Sequence, residues 1–179
     1  MTAKIIDTPP RTAMEVFEML PEGTLAEVIE GQFFMSPAPN TNHFKVAKRI
    51  SRALDGLIED TQLGHVFYAP FDVYLDPDTS AVQPDIFVIR NGNPGTLEPK
   101  GNFHGVPDFI VEVLSASNRA HDLITKKNLY EKYRVGEYWI VDPESKEVVG
   151  YELENGKFKR VSASAGKITS RLFQVDISF

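Results

Sequence analysis

An α/β sandwich around a mixed β-sheet is the fold class this sequence predicts, and three observations predict it. Two short runs, Ile86 to Ile89 and Phe109 to Leu114, are apolar almost throughout, the pattern of central strands covered on both faces. An amphipathic helical stretch and a third apolar run, Tyr138 to Val141, follow, which suits a strand–helix–strand crossover. Around that unit the order reads helix, two strands, helix, several strands and a terminal β-meander, which puts helices on the faces of a mixed sheet. The chain of 179 residues, 42% hydrophobic, is long enough for one well-buried core and short for two. One domain over residues 1–179 is expected.

Met1 to Pro10 reads as a loose lead-in and Arg11 to Leu20 as a short helix stopped by Pro21-Glu22-Gly23. Ala26 to Met35 reads as a β-hairpin turning at Glu30-Gly31. After the rigid turn Pro37-Ala38-Pro39-Asn40, a helix is predicted from Thr41 to Asp60, with Phe44, Ala47, Ile50, Leu54, Leu57 and Ile58 as its core stripe. Strand-like runs His65 to Ala69 and Asp72 to Leu75 precede the loop Asp76 to Thr79, and the strand that carries Asp85 near its start comes next. Asn91 to Gly105, rich in Gly and Pro, is expected to be the longest irregular stretch. A helix is predicted from Asn118 to Arg134, then a strand from Glu137 to Val141 stopped by Asp142-Pro143. A hairpin of Lys146 to Leu153 and Lys157 to Val161 around Glu154-Asn155-Gly156 follows. Trp139 is expected in the core.

Three charges sit where that pattern calls for apolar residues. Asp85 begins one apolar strand, and Glu112 is the one interior charge of another, on the same face as Ile110 and Leu114. Lys126 lies on the inward helix face with Leu123, Tyr130 and Tyr133, and Asp122 stands one turn before it. An unpaired buried charge costs several kcal/mol or neutralises itself, so Lys126 must meet a carboxylate, a phosphate or a metal-bound water.

Composition removes several function classes. With no cysteine there are no disulfides, no thiolate catalysis and no Cys-rich zinc sites. His43, His65, His104 and His121 lack metal-binding spacing, so any metal would be hard and oxygen-bound. There is no signal-peptide pattern, and no apolar run approaches the roughly 20 residues that span a bilayer; a cytoplasmic protein without membrane attachment is expected. A net charge of −6 and a pI of about 5.2 oppose strong non-specific nucleic-acid binding. Lys45, Lys48, Arg49 and Arg52 offset this locally as a basic helix stripe, or form an ordinary solvated face.

An ordered set of segments carries a resemblance over nearly the whole chain. It comprises Glu27 to Met35 with Ser36-Pro37-Ala38-Pro39, then Phe67 to Val73, then Val82-Gln83-Pro84-Asp85. It continues with Pro107 to Ser115, Asp122 with Lys126 and Tyr130, and Glu137 to Pro143. The set resembles the PD-(D/E)XK nuclease superfamily and, within it, the Uma family of bacterial restriction-endonuclease-like proteins. The sequence departs from the plain motif at Leu114, where the superfamily lysine follows the acidic residue by two positions. The resemblance implies that the lysine has moved to the following helix as Lys126, and that Glu27 occupies the N-terminal acidic position. It also implies a homodimer and a restriction-endonuclease-like sandwich.

Phosphodiester hydrolysis needs the phosphoryl charge neutralised and a hydroxide placed in line with the leaving oxygen, and Mg²⁺ held by carboxylates serves both ends. Asp85 and Glu112 are the expected ligands, with the Val113 carbonyl as a further one and Mn²⁺ as a substitute ion; Lys126 would orient the attacking water or stabilise developing charge. Burial would lower the Lys126 pKa and the carboxylates would raise it. Glu27 is open to two readings, a second metal or water ligand and a solvent-facing hairpin residue. His43 and Gln83 are expected along the cleft, Tyr130 is expected to pack with its hydroxyl at the site edge, and Lys127 should point away from the carboxylates while remaining available for phosphate. The leading expectation is a Mg²⁺-dependent endodeoxyribonuclease. The alternative is a catalytically inactive dimeric module on the same fold that binds nucleic acid or protein.

Overall fold

The computed structural model describes residues 9–99, 101–115, 119–161 and 164–179; most of the expected lead-in and the expected helix start at Asn118 lie outside them. Helix α1 (Ala13–Met19) starts at a capping box, in which Thr12 accepts the Glu15 amide and the Glu15 carboxylate accepts the Thr12 amide. Strands β1 (Ala26–Ile29) and β2 (Gln32–Met35) pair across Glu30 and Gly31, whose φ angles of 49° and 77° suit a tight hairpin turn. Helix α2 (Thr41–Leu54) is capped by Asn40, whose side chain accepts the His43 amide, and it runs on into a π turn at Asp55–Glu59. Strands β3 (Gly64–Tyr68), β4 (Asp72–Asp76), β5 (Ser80–Val82), β6 (Ile86–Arg90), β7 (Thr96–Leu97), β8 (Asn102–His104) and β9 (Phe109–Val113) follow. A π-helical stretch, His121–Lys126, leads into α3 (Lys127–Lys132). The chain closes with β10 (Glu137–Val141), β11 (Val148–Glu154), β12 (Lys157–Val161), β13 (Lys167–Ser170) and β14 (Val175–Ser178).

The strands form two mixed six-stranded sheets, β2-β1-β5-β4-β8-β7 and β12-β11-β10-β9-β6-β3, and a separate β13-β14 hairpin. The three apolar runs are neighbours in the second sheet, with β9 and β10 parallel and β6 antiparallel to β9. One face of this sheet buries Val88, Val111 and Trp139 against Ile50 and Leu54 of α2 and Ile168 and Ile177 of the terminal hairpin. The other face buries Phe87, Ile110, Leu114 and Tyr138 against Leu129 and Tyr130 of α3 and against Val73, Val82 and Phe103 of the first sheet. Alternation along β9 therefore turns Glu112 toward α3, among apolar neighbours. In β1 the same alternation sends Ala26 and Val28 under α1 and turns Glu27 with Ile29 toward the second sheet.

The α/β sandwich with a mixed central sheet is as expected, and the terminal meander holds as β10-β11-β12. Several elements differ. The N-terminal hairpin belongs to the first sheet and not to the one that holds the three apolar runs, and Asn91 to Gly105 is not all irregular: β7 and β8 lie within it, β8 held by parallel pairing to β4. Strands of two or three residues carry no readable periodicity; backbone partners from elsewhere in the chain create them. The same holds for β5. Helix α2 is turned by about one residue from its expected stripe: His43, Val46, Ile50, Ser51 and Leu54 point inward, while Phe44 is 61% exposed. The predicted helix around Lys126 is π-helical from His121 to Lys126. Among the described residues no helix is long and apolar enough to cross a membrane.

Candidate active site

Asp85 and Glu112 meet because of strand register. Ile86 pairs with Val111, so Asp85, one residue before β6 rather than inside it, comes level with Glu112. The Asp85 amide donates to Glu112 Oε2 at 3.3 Å, and the Val113 amide donates to Asp85 Oδ2 at 2.7 Å. His43, in the first turn of α2, places Nε2 2.9 Å from the same Asp85 oxygen. From the other side, Lys126 Nζ donates to Glu112 Oε1 at 2.9 Å and pairs with Glu27 Oε1 at 2.8 Å; the Lys126 residue is 5% exposed. The Tyr130 hydroxyl donates to Glu112 Oε1 at 2.9 Å. Glu27, 2% exposed, also accepts the Gln83 amide at 2.8 Å, and His121 Nε2 lies 3.4 Å from its second oxygen.

The π-helical stretch shapes this arrangement. Its i→i+5 bonding widens the turn, and π segments inside α-helices recur at functional sites. Here Asp122 and Lys126 are both buried, and the Tyr138 hydroxyl holds the stretch to the sheet by donating to the Asp122 carbonyl at 2.9 Å.

Electrostatics follow from three carboxylates, Glu27, Glu112 and Asp122, acting on one lysine. Burial alone would lower the Lys126 pKa, but Glu112, Glu27 and Asp122 raise it well above the ordinary lysine value, so the ammonium stays charged. Burial raises the Glu27 carboxyl, but Lys126 and His121 outweigh it and hold the pKa below the usual range. Glu112 goes the other way: burial, with Asp85, Asp122 and Glu27 as like charges, pushes it well up against the opposing pull of Lys126. Burial likewise raises Asp122, to about 6. Burial would lower His43, yet Asp85 raises it. The cleft is short of positive charge.

A family model described as "Uma2: Putative restriction endonuclease" matches residues 14–178. The chain belongs to the Uma2 family. In three dimensions it is similar to the crystal structure of "a putative nuclease belonging to DUF820" from Anabaena variabilis, with a TM-score of 0.74 at 18% sequence identity over 94% of this chain and 95% of that one. That likeness concerns the fold alone. No curated protein matches the chain.

In this Uma2 chain a cleft of about 280 Å³ is lined by Asp85, Glu112, Val113, Asp122 and Lys126, while Glu27 lies behind Lys126 and does not line it. Asp85, Glu112 and Asp122 offer carboxylate oxygens to this cleft, which suits a hard cation. Among the described residues no three acidic or imidazole groups converge closely enough to enclose one. Asp85 and Glu112 therefore fit an ion that keeps most of its waters, as Mg²⁺ does with one or two protein carboxylates.

The site residues fall as follows. Lys126 meets carboxylates, as its inward face requires, and they are Glu112 and Glu27, whereas Asp85 pairs with His43. Of the two readings of Glu27, the solvent-facing one does not hold, since the residue is buried. Gln83 lines the cleft, but its side-chain amide is committed to Asp72 Oδ1 at 2.7 Å and the Thr24 carbonyl at 3.0 Å. Lys127 points away as expected, its ammonium 5.5 Å over the Tyr151 ring. In α2, Lys48 and Arg52 line a second cavity beside the cleft, whereas Lys45 and Arg49 are exposed and do not. Asp122 lines the cleft and His121 approaches Glu27 behind it, and neither is among the expected catalytic, metal or nucleic-acid-contact residues; the four-residue step from Asp122 to Lys126 is the signal that points to Asp122.

Proposed function

We propose that this Uma2-family chain is a metal-dependent nuclease hydrolysing phosphodiester bonds of DNA, with Asp85, Glu112 and the Val113 carbonyl as the ligands of Mg²⁺, or of Mn²⁺ in its place. The observation that carries the reading is a buried, charged Lys126 hydrogen-bonded to a glutamate that is itself bonded to the neighbouring Asp85. When bound, Mg²⁺ supplies Lewis acidity toward the phosphoryl oxygens and a water acidic enough to attack near neutral pH. Because Lys126 keeps its proton, its role is that of a fixed cation. It orients the attacking water and offsets charge that develops on the phosphoryl group, an effect worth a few kcal/mol in a water-poor site. Glu27 fixes the direction of the ammonium, and the Tyr130 hydroxyl holds the Glu112 carboxylate in place. His43 holds Asp85 from the α2 side.

Calorimetric titration with Mn²⁺ tests the metal assignment without knowledge of the substrate. The parent protein is expected to bind with saturating heat, and Asp85→Ala to lose it. A parent protein that binds no Mn²⁺ would favour the second reading, a non-catalytic dimeric module for nucleic acid or protein, to which the acidic net charge of −6 and the displaced lysine lend weight. We also propose a C₂ homodimer, since two sites related by a two-fold axis give a small nuclease reach across both strands. Light scattering at micromolar concentration is expected to give twice the mass of one chain; the mass of one chain would end this proposal.

A further inference from the structure

Beside the carboxylate cleft lies a cavity of about 340 Å³ between α2 and the end of β3, at the lower end of the size range of small-ligand sites. Its lining includes Phe44, Lys48 and Arg52 from α2 and Tyr68 from β3. Phe44 is 61% exposed and Tyr68 62%, which is unusual for large rings that could have joined a core. Lys48 and Arg52 stand one helical turn apart on the same face as Phe44, and among the described residues neither forms an ion pair. Asp55 lines the cavity too, and burial and the neighbouring Glu59 and Asp60 raise its pKa. The cavity and the cleft share Pro39, His43, Phe44, Ala69 and Asp85, so they form one continuous groove that ends at the Asp85–Glu112 pair.

We infer that this groove binds a single-stranded segment of nucleic acid, with a base stacked on Phe44 and Tyr68 and its phosphates on Lys48 and Arg52. Exposed aromatic rings serve unpaired bases, because every base has a face to stack, whereas a duplex keeps those faces hidden. An acidic protein also gains little from the many phosphate contacts that duplex binding relies on. Stacking, with two well-placed cations, needs fewer. The inference deepens the nuclease reading and rests on it for one point, that the strand leads its next phosphodiester to Asp85 and Glu112.

The test is fluorescence anisotropy in EDTA with the full chain, using labelled oligo(dT), oligo(U) and a duplex of equal length. Oligo(dT) is expected to bind more tightly than the duplex. Phe44→Ala and Tyr68→Ala are each expected to weaken oligo(dT) binding roughly 5- to 150-fold. Both rings are more than half exposed, so their removal leaves the core intact. Lys48→Ala with Arg52→Ala should reduce the slope of log affinity against log salt by about 1.4. Lys157→Ala with Lys159→Ala, on the strand at the opposite edge of the sheet from β3, should leave it unchanged. Equal binding of oligo(U) assigns the groove to single strands of either sugar, and weaker binding assigns it to DNA; both support the inference. Duplex binding as tight as single-strand binding, or oligo(dT) affinity indifferent to both aromatic substitutions, overturns it. Binding in EDTA is independent of the metal, so stacking-dependent binding without any cleavage would sink the nuclease reading and keep the groove. Cleavage with unaltered single-strand binding in the two aromatic variants would do the reverse.

Discussion

Replacing Lys126 by alanine is expected to reduce Mg²⁺- or Mn²⁺-dependent cleavage by at least about 10²-fold, the scale on which single charge-stabilising groups act. It is also expected to destabilise the fold. The ammonium stands between two buried glutamates at 2.8 and 2.9 Å, and removing one member of a buried ionic cluster costs about 3–5 kcal/mol because the remaining charge is left uncompensated. Loss of activity in Lys126→Ala alone would thus leave the cause open between chemistry and unfolding. A double variant, Lys126→Met with Glu27→Gln, separates them, since it removes one charge of each sign and keeps side chains of similar volume. Thermal melts should show most of the lost stability recovered and cleavage assays should show none of the lost activity. Recovery of both would mean that the cluster is structural and Lys126 takes no part in cleavage.

Glu112 is the second position where a large effect is expected. Its carboxylate accepts from Lys126, Tyr130 and the Asp85 amide, so Glu112→Ala takes an acceptor from two buried donors and from the half-buried Asp85 amide, and leaves Lys126 with Glu27 alone. Stability should fall by several kcal/mol, and calorimetry should show no Mn²⁺ binding. Glu112→Gln retains the shape and accepts hydrogen bonds through its carbonyl; it should melt closer to the parent while still failing to bind Mn²⁺ or cleave. Mn²⁺ binding in Glu112→Gln at parental strength would remove Glu112 from the ligand set.

The parts of the fold that the sequence disclosed are those where a local pattern has only one physical outcome. Apolar continuity in Ile86 to Ile89, Phe109 to Leu114 and Tyr138 to Val141 requires cover on both faces, and β6, β9 and β10 are adjacent central strands. The turn chemistry of Glu30-Gly31 and Asn155-Gly156 marks two hairpins, each with paired positive φ values. For short strands the pattern is too brief: β5, β7 and β8 exist because the first sheet supplies partners, and nothing local calls for them. The α2 stripe shows a different limit. Val46, Ile50 and Leu54 define an inward face only slightly rotated from the one drawn through Phe44, and an apolar ring at the margin can fall on either side. The Asn40 cap and the bond of His43 to Asp85 accompany the rotation that turns His43 in and Phe44 out.

The sequence by itself determined that three charged residues, Asp85, Glu112 and Lys126, occupy otherwise apolar surfaces, and that Lys126 faces inward while Lys127 does not. Periodicity is enough for that, because it fixes the face of an element on which a residue lies. Only the tertiary structure decided which charges meet. Lys126 reaches Glu27, from a hairpin far away in the chain, and Asp85 takes His43, because the tertiary fold brings β1 to the end of the π-helical stretch and the first turn of α2 to the residue before β6. The physical reason is that pairing depends on the shift and rotation of one element against another. Those are set by the packing of two sheets and the widened π turn before α3, and no local pattern carries them.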